Sequence, residues 1–271
     1  MRFTSCSNGG ALSAEVGLEV AALPAEHIEP LLETVGRGLI TTLELAGCGV
    51  GDRGAAAVAA GLRANKGLTS IDLGRNAIGP AGAQVNATVP MVATFHDTFL
   101  ALHSHSVLQQ ALAEALVVGG ANLLELELYT NLITDIGACA LAAALPAATA
   151  LATLNLTRNG LTDRAAAALA AAAAASPSLL SLSLGYNRIT DDGARSFAEL
   201  FVGTPSAQSP WLPDHLPVLK VLSLYANSIS AVGEAELRRA VATTRLPEAG
   251  PNAVAIELID VSSNNPPVAA G

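Results

Sequence analysis

The feature that most constrains the fold is an internal repeat, because a chain built from one recurring unit must stack that unit. The segments LTSIDLGRNAIGPAGAQ, LLELELYTNLITDIGACALAAAL, LATLNLTRNGLTDRAAAALAAAA, LLSLSLGYNRITDDGARSFAELF and LKVLSLYANSISAVGEAELRRAV share one pattern. It reads L-x-x-L-x-L-x-x-N-x-I-x-x-x-G-A-x-x-L-x-x-x-L, with tolerated swaps. A further unit starts at Ile40-Thr41-Thr42-Leu43 and carries Cys48 where the others carry Asn. The first half of each unit alternates apolar and polar residues, as in Leu126-Glu127-Leu128 and Leu154-Asn155-Leu156, which is the period of a strand with one buried face. The second half changes period: Leu141 and Leu145, or Phe197 and Phe201, fall four apart on an alanine-rich background that favours helix. Each unit is therefore a strand followed by a helix. Alone it cannot bury its apolar faces, so neighbouring units must stack into a parallel sheet lined on one side by helices.

Composition agrees with a stack of this kind. Of 271 residues, 51% are hydrophobic but only 3% aromatic, so the core is layered from small aliphatic side chains. Each buried Leu or Ile contributes roughly 1.5–3 kcal/mol, enough across several units to offset ordering entropy without a disulfide or a metal. After each strand an Asn recurs, at Asn76, Asn131, Asn159, Asn187, Asn227 and Asn264. A buried side-chain amide at that turn needs, and can satisfy, backbone donors and acceptors. Cys48 at the equivalent place reads as a structural substitute and not as a reactive thiol.

Over Leu39 to Asn264 these units resemble the leucine-rich repeats of ribonuclease inhibitor, of the C-terminal domains of NOD-like receptors and of Ran GTPase-activating proteins. The resemblance implies an α/β leucine-rich-repeat horseshoe, with a parallel β-sheet on the concave face and α-helices on the convex face. It also implies a non-enzymatic module or scaffold that binds a protein partner through the concave face, without a cofactor. The alternative it implies is a GTPase-activating protein of the Ran-specific type, although the acidic tail common there is missing from a chain ending in NNPPVAAG. No phosphate-binding GxxxxGK[ST] motif is present, so the chain does not read as an ATP-dependent receptor itself.

On this reading the partner-binding row is Glu44, Asp72, Glu127, Asn155, Ser183, Ser223 and Asp260, flanked by Glu125, Tyr129, Thr157 and Tyr225. Cys48 and the six asparagines form the structural turn ladder. Arg75, Arg158 and Arg188 lie beside the turn asparagines and are expected to pair with Asp163, Asp191 and Asp192 as surface charges. The net charge of −9 and the pI near 4.9 exclude an electrostatic footprint for nucleic acid and favour a neutral or basic protein partner. Three widely spaced cysteines, Cys6, Cys48 and Cys139, argue against a disulfide framework and for a reducing compartment. A cytoplasmic monomer is expected, with no secretory signal at MRFTSCSNGGALS and no membrane span in the short alanine run from Ala165 to Ala175.

The spacing of the marker residues Leu43, Ile71, Leu126, Leu154, Leu182, Leu222 and Ile259 is 28, 55, 28, 28, 40 and 37 residues. The last two excesses read as loops near 202–213 and 242–252, the first holding Trp211 as a possible contact. The 55-residue gap contains a non-repeat insertion near 85–110. Deleting Val85 to Gln110 restores the pattern, and two accounts stay open: a retained intron, or a genuine insertion forming a short helix near Thr98 to Val118. His96, Asp97, His103 and His105 lie inside that segment and read as solvent-exposed loop residues and not as metal ligands. The organisation is thus a flank with a capping helix at 1–38, the repeat domain at 39–264 and a tail at 265–271. No helical pattern follows Ile259-Asp260-Val261, so the C-terminal cap is less secure and a fragment is a further reading.

Overall fold

The structure, a computed structural model, describes residues 2–4, 41–65, 67–79, 116, 122–202, 218–244 and 258–264. The insertion near 85–110, Trp211, most of the two expanded loops, the expected capping helix and the 265–271 tail lie outside the described residues. The strands are β1 (Arg2–Thr4), β2 (Thr42–Glu44), β3 (Ser70–Asp72), β4 (Glu125–Glu127), β5 (Thr153–Asn155), β6 (Ser181–Ser183), β7 (Val221–Ser223) and β8 (Leu258–Asp260). They form one eight-stranded sheet in sequence order, every neighbouring pair parallel. The seven markers read from the repeat fall in register across it, Leu43 on Ile71, Ile71 on Leu126, and so on to Leu222 on Ile259. The strand at Arg2–Thr4 is an addition, because three residues in a flank carry no repeat for the eye to follow.

The helices are α1 (Gly51–Ala64), α2 (Thr134–Ala144), α3 (Asp163–Ala175), α4 (Asp191–Val202) and α5 (Ala231–Thr244), and a 3-10 turn (Leu145–Ala147) extends α2. Helix α4 stops where the first expanded loop was expected to begin, and α5 continues to Thr244, three residues into the stretch expected as the second. Each helix returns the chain to the start of the next parallel strand, and helices pack on neighbouring helices and on one sheet face. The core between them is the predicted set: Leu126, Leu128, Ile133, Leu141 and Leu145 from one unit, for example, and Leu182, Leu184, Ile189, Phe197 and Phe201 from another. Leu116, where the repeat resumes after the insertion, is helical and buried in the same core.

Two side-chain ladders hold one unit to the next. In the first, the amide of each turn asparagine serves two units. Asn187 donates from Nδ2 to the carbonyls of Leu184 at 2.8 Å and Gly185 at 3.3 Å in its own turn, and to Leu156 at 3.1 Å in the preceding unit. Its Oδ1 accepts the N–H groups of Asn159 at 2.9 Å and Leu161 at 3.1 Å, also one unit back. Asn131 repeats the arrangement on Leu73, Asn76 and Ile78, and Asn227 on Leu184 and Ile189. Cys48 is buried with Sγ 3.7 Å from the Ala46 carbonyl, in keeping with a structural role.

The second ladder was not anticipated. The carboxylate in the first turn of one helix caps the helix of the next unit. Asp135 accepts the N–H and Oγ1 of Thr162 at 2.7 and 2.5 Å, Asp163 those of Thr190 at 2.7 Å each, and Asp191 those of Ser230 at 2.7 and 2.6 Å. Asp163 also accepts the Gly193 N–H at 3.0 Å, and a Cβ on Gly193 would stand 2.6 Å from its Oδ1. Gly193 therefore leaves room for the third bond, from its own N–H; where Ala165 stands in its place, Asp135 still takes both groups of Thr162. In the second unit the position of this Asp is taken by Pro80. Thr134, the hydroxyl that an Asp there would serve, has its buried Oγ1 without a partner.

Two substitutions separate these ladders. Asn187→Ala strands several buried backbone groups, each costing about 1–3 kcal/mol when unsatisfied, so chemical denaturation should show a loss of roughly 3 kcal/mol or more. Thr190→Val should lose about 1–2 kcal/mol for one charge-assisted hydrogen bond, whereas Thr134→Val should be neutral or stabilising. Equal losses at Thr190 and Thr134 in the same denaturation series would contradict the assignment of the second ladder.

Candidate functional site

Because helices cover one face of the sheet, residues adjacent to the buried markers point to the other. Glu44, Asp72, Glu127, Asn155, Ser183, Ser223 and Asp260 are paired strand to strand in a single row, each half-buried. The row before it runs Thr42, Ser70, Glu125, Thr153, Ser181, Val221 and Leu258, with Glu125 and Leu258 exposed. The predicted face thus comes together, and its chemistry changes along its length. Carboxylates lie on β2, β3 and β4, small hydroxyl and amide side chains on β5 and β6, and apolar residues join Ser223 and Asp260 on β7 and β8.

The acidic part is tied down locally. Asn155 donates from Nδ2 to Glu127 Oε2 at 2.6 Å, and Ser70 donates from Oγ to Glu125 Oε2 at 3.1 Å. Asp72 accepts the N–H of Gly74 at 2.8 Å, Asn155 that of Thr157 at 3.0 Å and Asp260 that of Ser262 at 3.0 Å. Burial pushes the Glu127 carboxyl above its ordinary range, the Asn155 hydrogen bond opposes this, and the nearby Asp72 and Glu125 carboxylates add to it. Burial likewise raises the Tyr129 phenol, and Asp72 raises it further.

The two tyrosines flanking the row are packed on glycines of the preceding unit. The ring of Tyr129 lies on Gly74 and that of Tyr225 on Gly185, each filling the space a Cβ would need. Beyond the strands, the residue before the turn asparagine takes a positive φ in every described unit: Gly47, Arg75, Thr130, Arg158, Tyr186, Ala226 and Ser263, between 52° and 67°. A non-glycine residue pays about 1–2 kcal/mol for this conformation, and the paired backbone bonds around it, such as Arg158 N–H to the Gly185 carbonyl at 2.9 Å and Tyr186 N–H to the Tyr225 carbonyl at 2.9 Å, hold it there. Their side chains line the strand-exit edge. There the Arg158 guanidinium lies 4.2 Å from the centroid of the Tyr186 ring, and Tyr186 meets Tyr225 edge to face at 5.0 Å. Tyr186, 47% exposed, falls outside the alternating pattern of the strands. Its only signal was its place in line with Arg75 and Arg158.

The expected pairing of Arg75, Arg158 and Arg188 with Asp163, Asp191 and Asp192 is corrected. Asp163 and Asp191 belong to the helix-capping ladder, and Asp192 pairs with Arg195 at 2.7 Å. Asp163 and Asp191 reach across to Thr190 and Ser230 of the next unit, so they do not serve the strand-exit arginines. Among the described residues no group of His, Cys, Asp and Glu is arranged to hold a metal ion, and no helix is long and apolar enough to cross a membrane. His96, Asp97, His103, His105 and Trp211 lie outside the described residues.

With this geometry in view, a family model described as Leucine Rich repeat matches residues 39–59, 64–85, 149–170 and 175–198. The fold is a leucine-rich-repeat α/β solenoid, a parallel sheet alternating with helices. Among solved structures, the chain is similar to one titled Leiomodin-1 Actin-Binding Site 2, at 13% identity, with a TM-score of 0.41, over 80% of this chain and 91% of that one. A comparison with curated proteins returns no match.

The raised Glu127 carboxyl gives a pH prediction. Its folded-state pKa lies above the ordinary 4.5, so its stabilising contribution is full below that value and is lost as pH rises through the folded pKa. Glu127→Gln keeps an acceptor for Asn155 and removes the charge. Its melting temperature should exceed that of the parent at pH 7 and converge with it below pH 4.5; a parallel pair of melting curves across pH 4–8 would contradict this.

Proposed function

We propose that this chain is a protein–protein interaction module that holds a partner on the concave face of its sheet, and that it acts by binding and not by catalysis. One observation carries the reading: a continuous row from Glu44 to Asp260, in register on seven strands, while the described helices pack against the buried markers of the other face. A broad one-sided surface on a rigid repeat frame is suited to recognition of another macromolecule, and the function of such a frame resides in the side chains it presents. The 28-residue spacing and the full helices of 11 to 14 residues support the ribonuclease-inhibitor type of repeat.

The partner we propose is neutral or basic, because the face carries Glu44, Asp72, Glu125 and Glu127 on adjacent strands and no Lys or Arg on β2 to β8. Binding as a monomer in the cytoplasm fits the scattered cysteines, with Cys139 a thiol whose pKa burial raises. The contact set is Glu44, Asp72, Glu125, Glu127, Tyr129, Asn155, Thr157, Ser183, Ser223, Tyr225 and Asp260, with residues 39–264 as the binding domain.

A photoreactive amino acid placed at Ser183 on the face, or at Arg195 on helix α4, tests this. The same partner should crosslink from Ser183 and not from Arg195, and Glu127→Lys should abolish the crosslink. A purified partner that crosslinks from Arg195 alone would place binding on the convex side and end this reading.

A further inference from the structure

We infer that the strand-exit end of β5 to β7 anchors an extended segment of the partner, seating an apolar side chain on the Arg158–Tyr186–Tyr225 stack while basic side chains four or so positions away reach the carboxylates of β3 and β4. This deepens the concave-face reading and rests on it.

The stack is the one place in the described face where a large ring stands open to solvent in a fixed pose. Tyr186 is held from three directions: its backbone at φ 53° is bonded to Tyr225, its ring edge meets Tyr225, and Arg158 lies over it. Tyr225 is itself seated on Gly185. A partner side chain packing there finds an aromatic surface already ordered, so little rotamer entropy remains to be lost on binding. Pre-ordered aromatic and arginine side chains are the usual energetic centres of interfaces.

Charge then fixes what flanks the anchor. The Arg158 guanidinium at the stack repels a cation, whereas Glu125 and Glu127, two strands from Tyr186, and Asp72, three strands from it, attract one. Ionised Glu127 is disfavoured by burial and by its acidic neighbours, and a cation brought among them relieves that penalty. The distance is set by the sheet. Glu127 on β4 and Tyr186 after β6 are separated by two strand spacings, about 10 Å, and by three residues of offset along the strand, again about 10 Å. The diagonal of roughly 14 Å is spanned by about four residues of extended chain. The complementary segment is therefore an apolar residue and a basic cluster separated by about three residues.

Fluorescein-labelled ten-residue peptides in a Gly/Ser background test the spacing directly. The probe carries Phe and, four positions on, two Arg; controls replace Phe by Ser, replace Arg by Gln, or move the two Arg next to Phe. By fluorescence anisotropy the probe should bind about tenfold more tightly than each control. Tyr186→Ala should weaken it about tenfold with its salt dependence intact, while the Glu125→Gln, Glu127→Gln double variant should weaken it and flatten the salt dependence. Thermal melts of both variants establish that they remain folded. Equal binding of the adjacent-Arg control, no binding of the probe, or no effect of Tyr186→Ala overturns the inference. If the partner still crosslinks from Ser183, the concave-face reading survives that result; crosslinking from Arg195 alone removes both.

Discussion

A single asparagine amide here satisfies carbonyls in its own turn and in the turn before it, while its oxygen takes two N–H groups from that earlier turn. Remove Asn187 and the exits of both β5 and β6 lose their partners at once. The strands are only three residues long, too short for their own ladder bonds to hold a parallel sheet. Everything else depends on the turns being fixed: the positive φ at the residue before each Asn, the direction in which the chain enters the helix, and the constant register of Leu43 through Ile259. Because each amide reaches only one unit back, the stability of the stack is a sum of neighbour terms, and a single defect stays local.

The aspartate ladder performs the same service on the helical side and shows how tightly small residues are chosen. Asp163 adds the Gly193 N–H to its two bonds with Thr190 where Gly193 has no side chain, and a Cβ there would also meet Ala166. At Gly193 and Gly233 the glycine, which looks like a helix-weakening choice, accommodates the neighbour's carboxylate. The ladder is interrupted once within the stack, at Pro80, and the orphaned hydroxyl of Thr134 records the interruption.

Much of this was legible because the repeat states it several times over. A Leu at a marker position recurs with its partners, so strand, helix, core and concave row followed from period alone, as did the asparagine ladder. What escaped had no period in hydrophobicity. Arg2–Thr4 has no visible unit around it. Asp135, Asp163 and Asp191 recur faithfully, but a surface charge and a capping carboxylate are the same letter, and only the Thr or Ser of the following unit tells them apart. The packing of Tyr129 and Tyr225 has no local signal, because the glycines beneath them, Gly74 and Gly185, sit in different units. Tyr186 lies past the strand, where the alternation has ended.

That last distinction bears on where recognition can reside. Residues in the middle of the face, such as Glu127, Asn155 and Ser183, vary in chemistry while the buried leucines beside them do not, and Asn155 is bonded to Glu127 and the Thr157 N–H. The tyrosines over glycines are tied to the frame as well: truncating Tyr225 exposes the Gly185 backbone and removes the edge contact to Tyr186, mixing a structural loss with any loss of contact. Tyr186 buries no glycine and closes no turn that Asn187 does not already hold. A large aromatic kept exposed at a left-handed position, where other units carry Gly47, Thr130, Ala226 or Ser263, is the placement on which the proposed anchor rests.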